Sequence, residues 1–141
     1  MNQQLQLKLS FESLARELRT PLNIDCDCGN GKRCGNPLRK CGAIWDTGAT
    51  NSMISPEVVR ELKLLPTGST HIMGVHGAQK ANLYRVNLVF DCGYIIPDVE
   101  VSEAGEDCGF ELLVGMDIIA CGTFTLNNKN GKTIFLFEYP A

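Results

Sequence analysis

The chain has 141 residues, the size of one domain, and a chain of that length buries roughly 68–70% of its unfolded surface on folding. With 44% hydrophobic and 21% charged residues it lies far from the composition of disorder, so a globular fold is expected. Thirteen basic and sixteen acidic residues leave a net charge of −3, which gives no footing for nucleic acid or for an acidic membrane surface.

In chain order, Met1-Asn2-Gln3-Gln4 is polar and lacks the basic and apolar regions of a signal peptide. No apolar run reaches the length of a membrane span, so a cytoplasmic location is expected. Leu5, Leu7 and Leu9 alternate with polar residues as in a half-buried strand, and Phe11, Leu14, Ala15 and Leu18 then recur at helical spacing. A short helix is predicted there, capped by Ser10, with Glu12 in its first turn and Thr20-Pro21 at its end, because the residue before proline avoids the helical region. Residues 1–20 read as a strand and helix extension and residues 21–141 as the compact domain. Leu22, Ile24 and Cys26 begin a strand, and a long connection through Gly29-Asn30-Gly31 leads to a second strand at Cys41-Gly42-Ala43-Ile44-Trp45. Ser55-Pro56-Glu57 is an N-cap, a first-turn proline and a first-turn acid, which predicts a short helix through Val58, Val59 and Leu62. Thr70 to Met73, a glycine-flanked tip at Gly74 to Gly77, and Leu83 to Phe90 read as a hairpin. Tyr94 to Val101, Glu111 to Val114, Thr123 to Leu126 and Thr133 to Phe137 add strands rich in β-branched and aromatic residues, so the chain is predicted to be all-β with short helices.

Asp46-Thr47-Gly48 follows an apolar run, and by itself the triplet is an ordinary strand-to-turn sequence. It is followed, however, by Ala49-Thr50, by the glycine-tipped hairpin and by Leu112-Leu113-Val114-Gly115-Met116-Asp117. In these features the sequence resembles the retroviral-like, or retropepsin-type, aspartic peptidases over roughly residues 21–139, and the Gly115-Met116-Asp117 run resembles their cellular and bacterial branch. The resemblance implies a closed acid-protease-like barrel, one single-domain subunit of a homodimer, hydrolysing a peptide or protein substrate with no cofactor. It assigns Asp46 to a carboxylate dyad shared by two chains, the Thr47 hydroxyl to the partner's backbone, and Gly48 to close substrate approach. Ala49 and Thr50 would support that loop. Met73, Gly74, Val75, His76 and Gly77 would be a flap tip that closes over the substrate, with an ordinary hairpin end as the rival reading. The alternation of Phe135, Phe137 and Tyr139 with Ile134, Leu136 and Glu138 resembles the family's C-terminal dimer strand, and a plain internal strand is the competing reading. Asp117 reads as a helix-start residue rather than a second carboxylate in the same chain.

Two features fall outside the resemblance. Trp45 stands where the family usually has a smaller aliphatic residue, and its indole N–H needs room and a partner. Cys26, Cys28, Cys34 and Cys41 could in principle hold a metal, but C-x-C followed by two isolated cysteines lacks the paired knuckles of structural zinc sites. The seven cysteines are an odd number, reduced thiols are expected, and Cys92, Cys108 and Cys121 read as packing residues. His71 and His76 read as exposed polar positions. A non-catalytic dimeric peptide-binding module and a cysteine-rich metal scaffold are the rival functions, and no metal ligand is assigned.

Overall fold

The computed structural model describes residues 4–27, 29, 37–74 and 77–141. Among these the chain is mostly strand. In order it forms β1 (Leu5–Ser10), β2 (Leu18–Cys26), β3 (Arg39–Trp45), β4 (Met53–Ile54), α1 (Pro56–Leu62), β5 (Gly68–Gly74) and β6 (Gly77–Val89). There follow β7 (Ile95–Glu103), β8 (Leu112–Val114), α2 (Met116–Ile119), β9 (Thr123–Asn127) and β10 (Ile134–Tyr139). No helix among the described residues is long and apolar enough to cross a membrane.

The strands fall into two sheets. The larger runs β2-β3-β8-β4-β7-β6-β5, and a further β2–β6 pairing links strands from opposite parts of that order into a ring. Its parallel pairs are β3 with β8 and β4 with β7. The smaller sheet runs β1-β10-β9 and is antiparallel. Alternation along β10 turns Phe135 and Phe137 inward, fully buried, with Leu5, Leu7 and Leu9 of β1 on the same face by register. Trp45 of β3 packs against both phenylalanines, at ring-centroid distances of 5.2 and 4.8 Å, which joins the small sheet to the large one in a single core. β10 is therefore an internal strand, paired on both edges by its own chain, and not the free dimer strand that its sequence resembles.

The predicted α1 forms where its cap residues stand. The Ser55 hydroxyl accepts the Val58 N–H at 3.3 Å, and Lys63 closes the helix in the left-handed region at φ 52°. The predicted helix over Phe11 to Leu18 does not form: residues 11–17 run as bends and coil, Ser10 ends β1, and Leu18 opens β2. Thr133 takes up the segment's backbone groups. Its carbonyl accepts Phe11 N–H at 2.8 Å, its hydroxyl accepts Ala15 N–H at 2.9 Å, and its own N–H donates to the Ser13 carbonyl at 3.2 Å. Those long-range bonds replace the local ladder, and Leu14 is left 56% exposed, so the helical spacing marks no buried stripe. Thr20-Pro21 lies inside β2, where Pro21 opposes Gly42; the extended backbone that proline imposes on its predecessor suits a strand as well as a helix end.

The expectation of reduced thiols needs a further correction, because Cys26 is disulfide-bonded. A disulfide depends on whether local geometry brings two sulfurs together, which a compartment argument does not address. Cys28 and Cys34 lie outside the described residues. Cys41 is buried in the core, whereas Cys92 and Cys121 are exposed free thiols. No cluster of metal-ligating side chains occurs among the described residues.

Candidate active site

β3 delivers Asp46. Ala43 and Trp45 point into the core, and the parallel pairing of β3 with β8 (Ala43 with Leu112, Ile44 with Leu113, Trp45 with Val114) runs one step further as Asp46 N–H donates to the Val114 carbonyl at 2.9 Å. The chain then turns: Ala49 N–H donates to the Asp46 carbonyl at 3.2 Å, and Gly48 N–H donates to Asp46 Oδ1 at 2.8 Å. A Cβ at Gly48 would lie 3.1 Å from that same oxygen, so glycine leaves the carboxylate uncrowded. Asp46 is half-buried, Thr47 and Gly48 are exposed, and Ala49 is half-buried. The result is a carboxylate with one oxygen held by the backbone on a loop that faces solvent. A cleft of about 370 Å³ beside it is lined by Asp46 and Thr47 together with Ala15, Leu18, Phe124 and Leu126.

The back of this loop rests on the segment after β8. Met116 N–H donates to the Ala49 carbonyl at 2.8 Å and Asp117 N–H to the Thr50 carbonyl at 3.2 Å. Gly115 makes that approach possible, since a Cβ there would sit 2.8 Å from the Asn51 carbonyl carbon and 2.9 Å from the Ala49 oxygen. A hydrophobic strand ending in glycine thus cradles an Asp-Thr-Gly turn. A family model described as "Aspartyl protease" matches residues 30–118, more than half of the chain. The chain belongs to the aspartyl protease family.

Solved proteases share its architecture. A retropepsin-like aspartic protease from Rickettsia conorii aligns with a TM-score of 0.58 at 15% identity, covering 96% of this chain and 95% of that one. The EIAV protease complexed with the inhibitor HBY-793 aligns with a TM-score of 0.54 at 20% identity, covering 74% of this chain and 86% of that one. At these identities the likeness is one of fold, and the fold is retropepsin-like. No match is found among curated proteins.

The remaining residues singled out in the sequence are distributed over this protease fold as follows. The hairpin of β5 and β6 pairs down to Gly74 opposite Gly77, with Met73 79% exposed and Gly77 in the left-handed region at φ +98°. Val75 and His76 lie outside the described residues. Thr70, His71 and Ile72 of β5 share a cavity of about 440 Å³ with Asn51 and Ser52, so the hairpin meets the far end of the Asp46 loop, while Asp46 itself opens onto the other cleft. Trp45 does not crowd the carboxylate. Successive strand residues point to opposite faces, so its ring lies in the core, and its indole N–H donates to the buried Thr20 hydroxyl at 2.8 Å. The sequence offers Trp45 no evident partner, because Thr20 before Pro21 reads as a helix end rather than as a strand residue facing it.

Asp117 stands in the first turn of α2, as expected, but its carboxylate does more than serve that turn. Oδ2 accepts Ser52 N–H at 3.0 Å and Oδ1 accepts the Ser52 hydroxyl at 2.8 Å, besides Ile118 N–H at 3.0 Å. Ser52 carries no signal of its own in the sequence. The one signal for it was the Gly115-Met116-Asp117 run, which does not name its partner.

Proposed function

We propose that the protein is an aspartic endopeptidase that works as a homodimer, with two Asp46 carboxylates meeting at the interface to activate one water. The carrying observation is a single Asp-Thr-Gly in the chain, presented on a solvent-facing loop and braced from behind by β8 and α2. Peptide hydrolysis by this route needs two carboxylates that share one proton. The ionised one takes a proton from the attacking water, and the protonated one donates to the scissile carbonyl oxygen, giving a tetrahedral intermediate that collapses as the leaving nitrogen is protonated. One aspartate cannot fill both roles, and two-fold symmetry supplies the second.

In this reading Gly48 admits the substrate, the Thr47 hydroxyl bonds the partner's backbone, and Ala49 supports the loop beside the scissile bond. Met73, Gly74, Val75, His76 and Gly77 form the flap that closes over an extended peptide and excludes water. The ring of strands acts as a closed barrel within one peptidase domain, whose core takes in β1 and the start of β2 from the segment 1–20 that reads as an extension. The test is cleavage of a diverse peptide library by wild type and Asp46→Asn between acidic and neutral pH, with oligomeric mass measured on the same samples. A dimeric wild type should cleave with chelators present, and Asp46→Asn should lose activity by about three orders of magnitude or more. Cleavage that survives in the variant contradicts the assignment, and a stable dimer that cleaves nothing points instead to a peptide-binding module.

A further inference from the structure

The loop that carries Asp46 is fixed at both ends by hydrogen bonds from the same part of the chain. At its start Asp46 N–H is held by the Val114 carbonyl at 2.9 Å. At its end both Asp117 oxygens grip Ser52, through its N–H at 3.0 Å and its hydroxyl at 2.8 Å. The Ser52 oxygen in turn accepts Gly115 N–H at 3.0 Å, and Ser52 is wholly buried. A carboxylate spent only on capping would satisfy N–H groups of its own helix. Asp117 bonds one such group, Ile118 N–H, yet α2 is a single turn and both oxygens reach 65 residues back to Ser52. Three donors, two of them from Ser52, converge on the two oxygens of this one carboxylate and fix its orientation.

We propose that Asp117 is a positioning residue for Asp46: by holding Ser52 against Gly115 it sets the height and tilt of residues 46–52, and hence where the Asp46 carboxylate meets its counterpart. The proposal rests on the peptidase reading for its kinetic consequence and on the geometry alone for its effect on the loop. A misplacement of the order of 1 Å at reacting groups costs a large factor in turnover without comparable loss of binding.

The experiment combines two readouts on the full chain carrying Asp117→Ala, Asp117→Asn or Ser52→Ala. The first is kcat per active site, with sites counted by titration with a tight-binding statine-type peptide inhibitor, alongside KM. The second is hydrogen–deuterium exchange of residues 46–52 in the free protein. Asp117→Ala should lower kcat per titrated site by about tenfold or more with KM within about twofold, and should speed exchange in 46–52 while β5 and β6 keep wild-type rates. Asp117→Asn, which keeps one acceptor oxygen in the same shape, should recover part of both. Should Asp117→Ala fail to fold, Asp117→Asn and Ser52→Ala carry the same comparison at smaller amplitude. Unchanged kcat per titrated site, or unchanged exchange in 46–52, overturns the proposal. If wild type itself cleaves nothing, the peptidase reading fails on that result, and exchange alone then decides whether Asp117 holds the loop.

Discussion

Thr20 and Trp45 form a small polar contact inside an otherwise apolar core, and the contact explains how a bulky residue can precede the carboxylate. Thr20→Val keeps the shape of the side chain but leaves the indole N–H buried without an acceptor, which should cost about 1–3 kcal/mol of stability. Urea titration would show it as a lower midpoint at unchanged slope. Cys41 provides a second residue-level test. Burial, with a contribution from the charge of Glu111, raises its thiol from 9.0 to about 12. Because the folded value is the higher, the thiol's contribution to stability is complete below the unfolded value and is lost as pH rises toward the folded one. Wild-type stability should therefore decline as pH rises past 9.0, and Cys41→Ala should flatten that decline in denaturant titrations; an equal decline in both proteins would remove Cys41 as its cause.

Among the elements, β1 is the one whose role changed most between sequence and structure. It reads as part of an extension, yet it completes one edge of the small sheet and Leu5 lies in the core. Deleting residues 1–10 uncovers one edge of β10 and part of the face that holds Phe135 and Phe137, and should destabilise the chain by several kcal/mol, roughly the loss of a few buried leucines. Thermal unfolding of the truncated chain would measure this, and an unchanged midpoint would show that β1 is dispensable. Elements governed by local chemistry were legible in the sequence. The Ser55-Pro56-Glu57 cap places α1, the glycines at 74 and 77 bracket the hairpin end, and the apolar run through Trp45 yields β3. Elements governed by distant partners were not. Residues 11–17 fail to become a helix because Thr133, more than a hundred residues away, satisfies their backbone, and the alternation along β10 cannot tell whether its neighbours belong to its own chain.

At the scale of the whole molecule, the retropepsin-like fold brings two distant stretches, residues 46–52 and 112–117, into a single braced loop. The turn over Asp46 to Ala49 was legible in the sequence because its signals are local, whereas the grip of Asp117 on Ser52 was not, since nothing in either segment points to a partner 65 positions away. The smaller sheet fills both edges of β10 from its own chain, so any partner in the proposed dimer must be met by other surfaces, among them the cleft beside Asp46 and Thr47. The central claim, that each active centre takes one Asp46 from each of two chains, is tested most directly by refolding wild type with Asp46→Asn at varied ratios and measuring peptide cleavage per total chain. Random pairing leaves about one dimer in four with both aspartates at equal mixing, so activity should fall to about a quarter and follow the square of the wild-type fraction. A linear fall, to about half at equal mixing, would mean that each chain cleaves with its own Asp46 alone and would contradict the shared dyad.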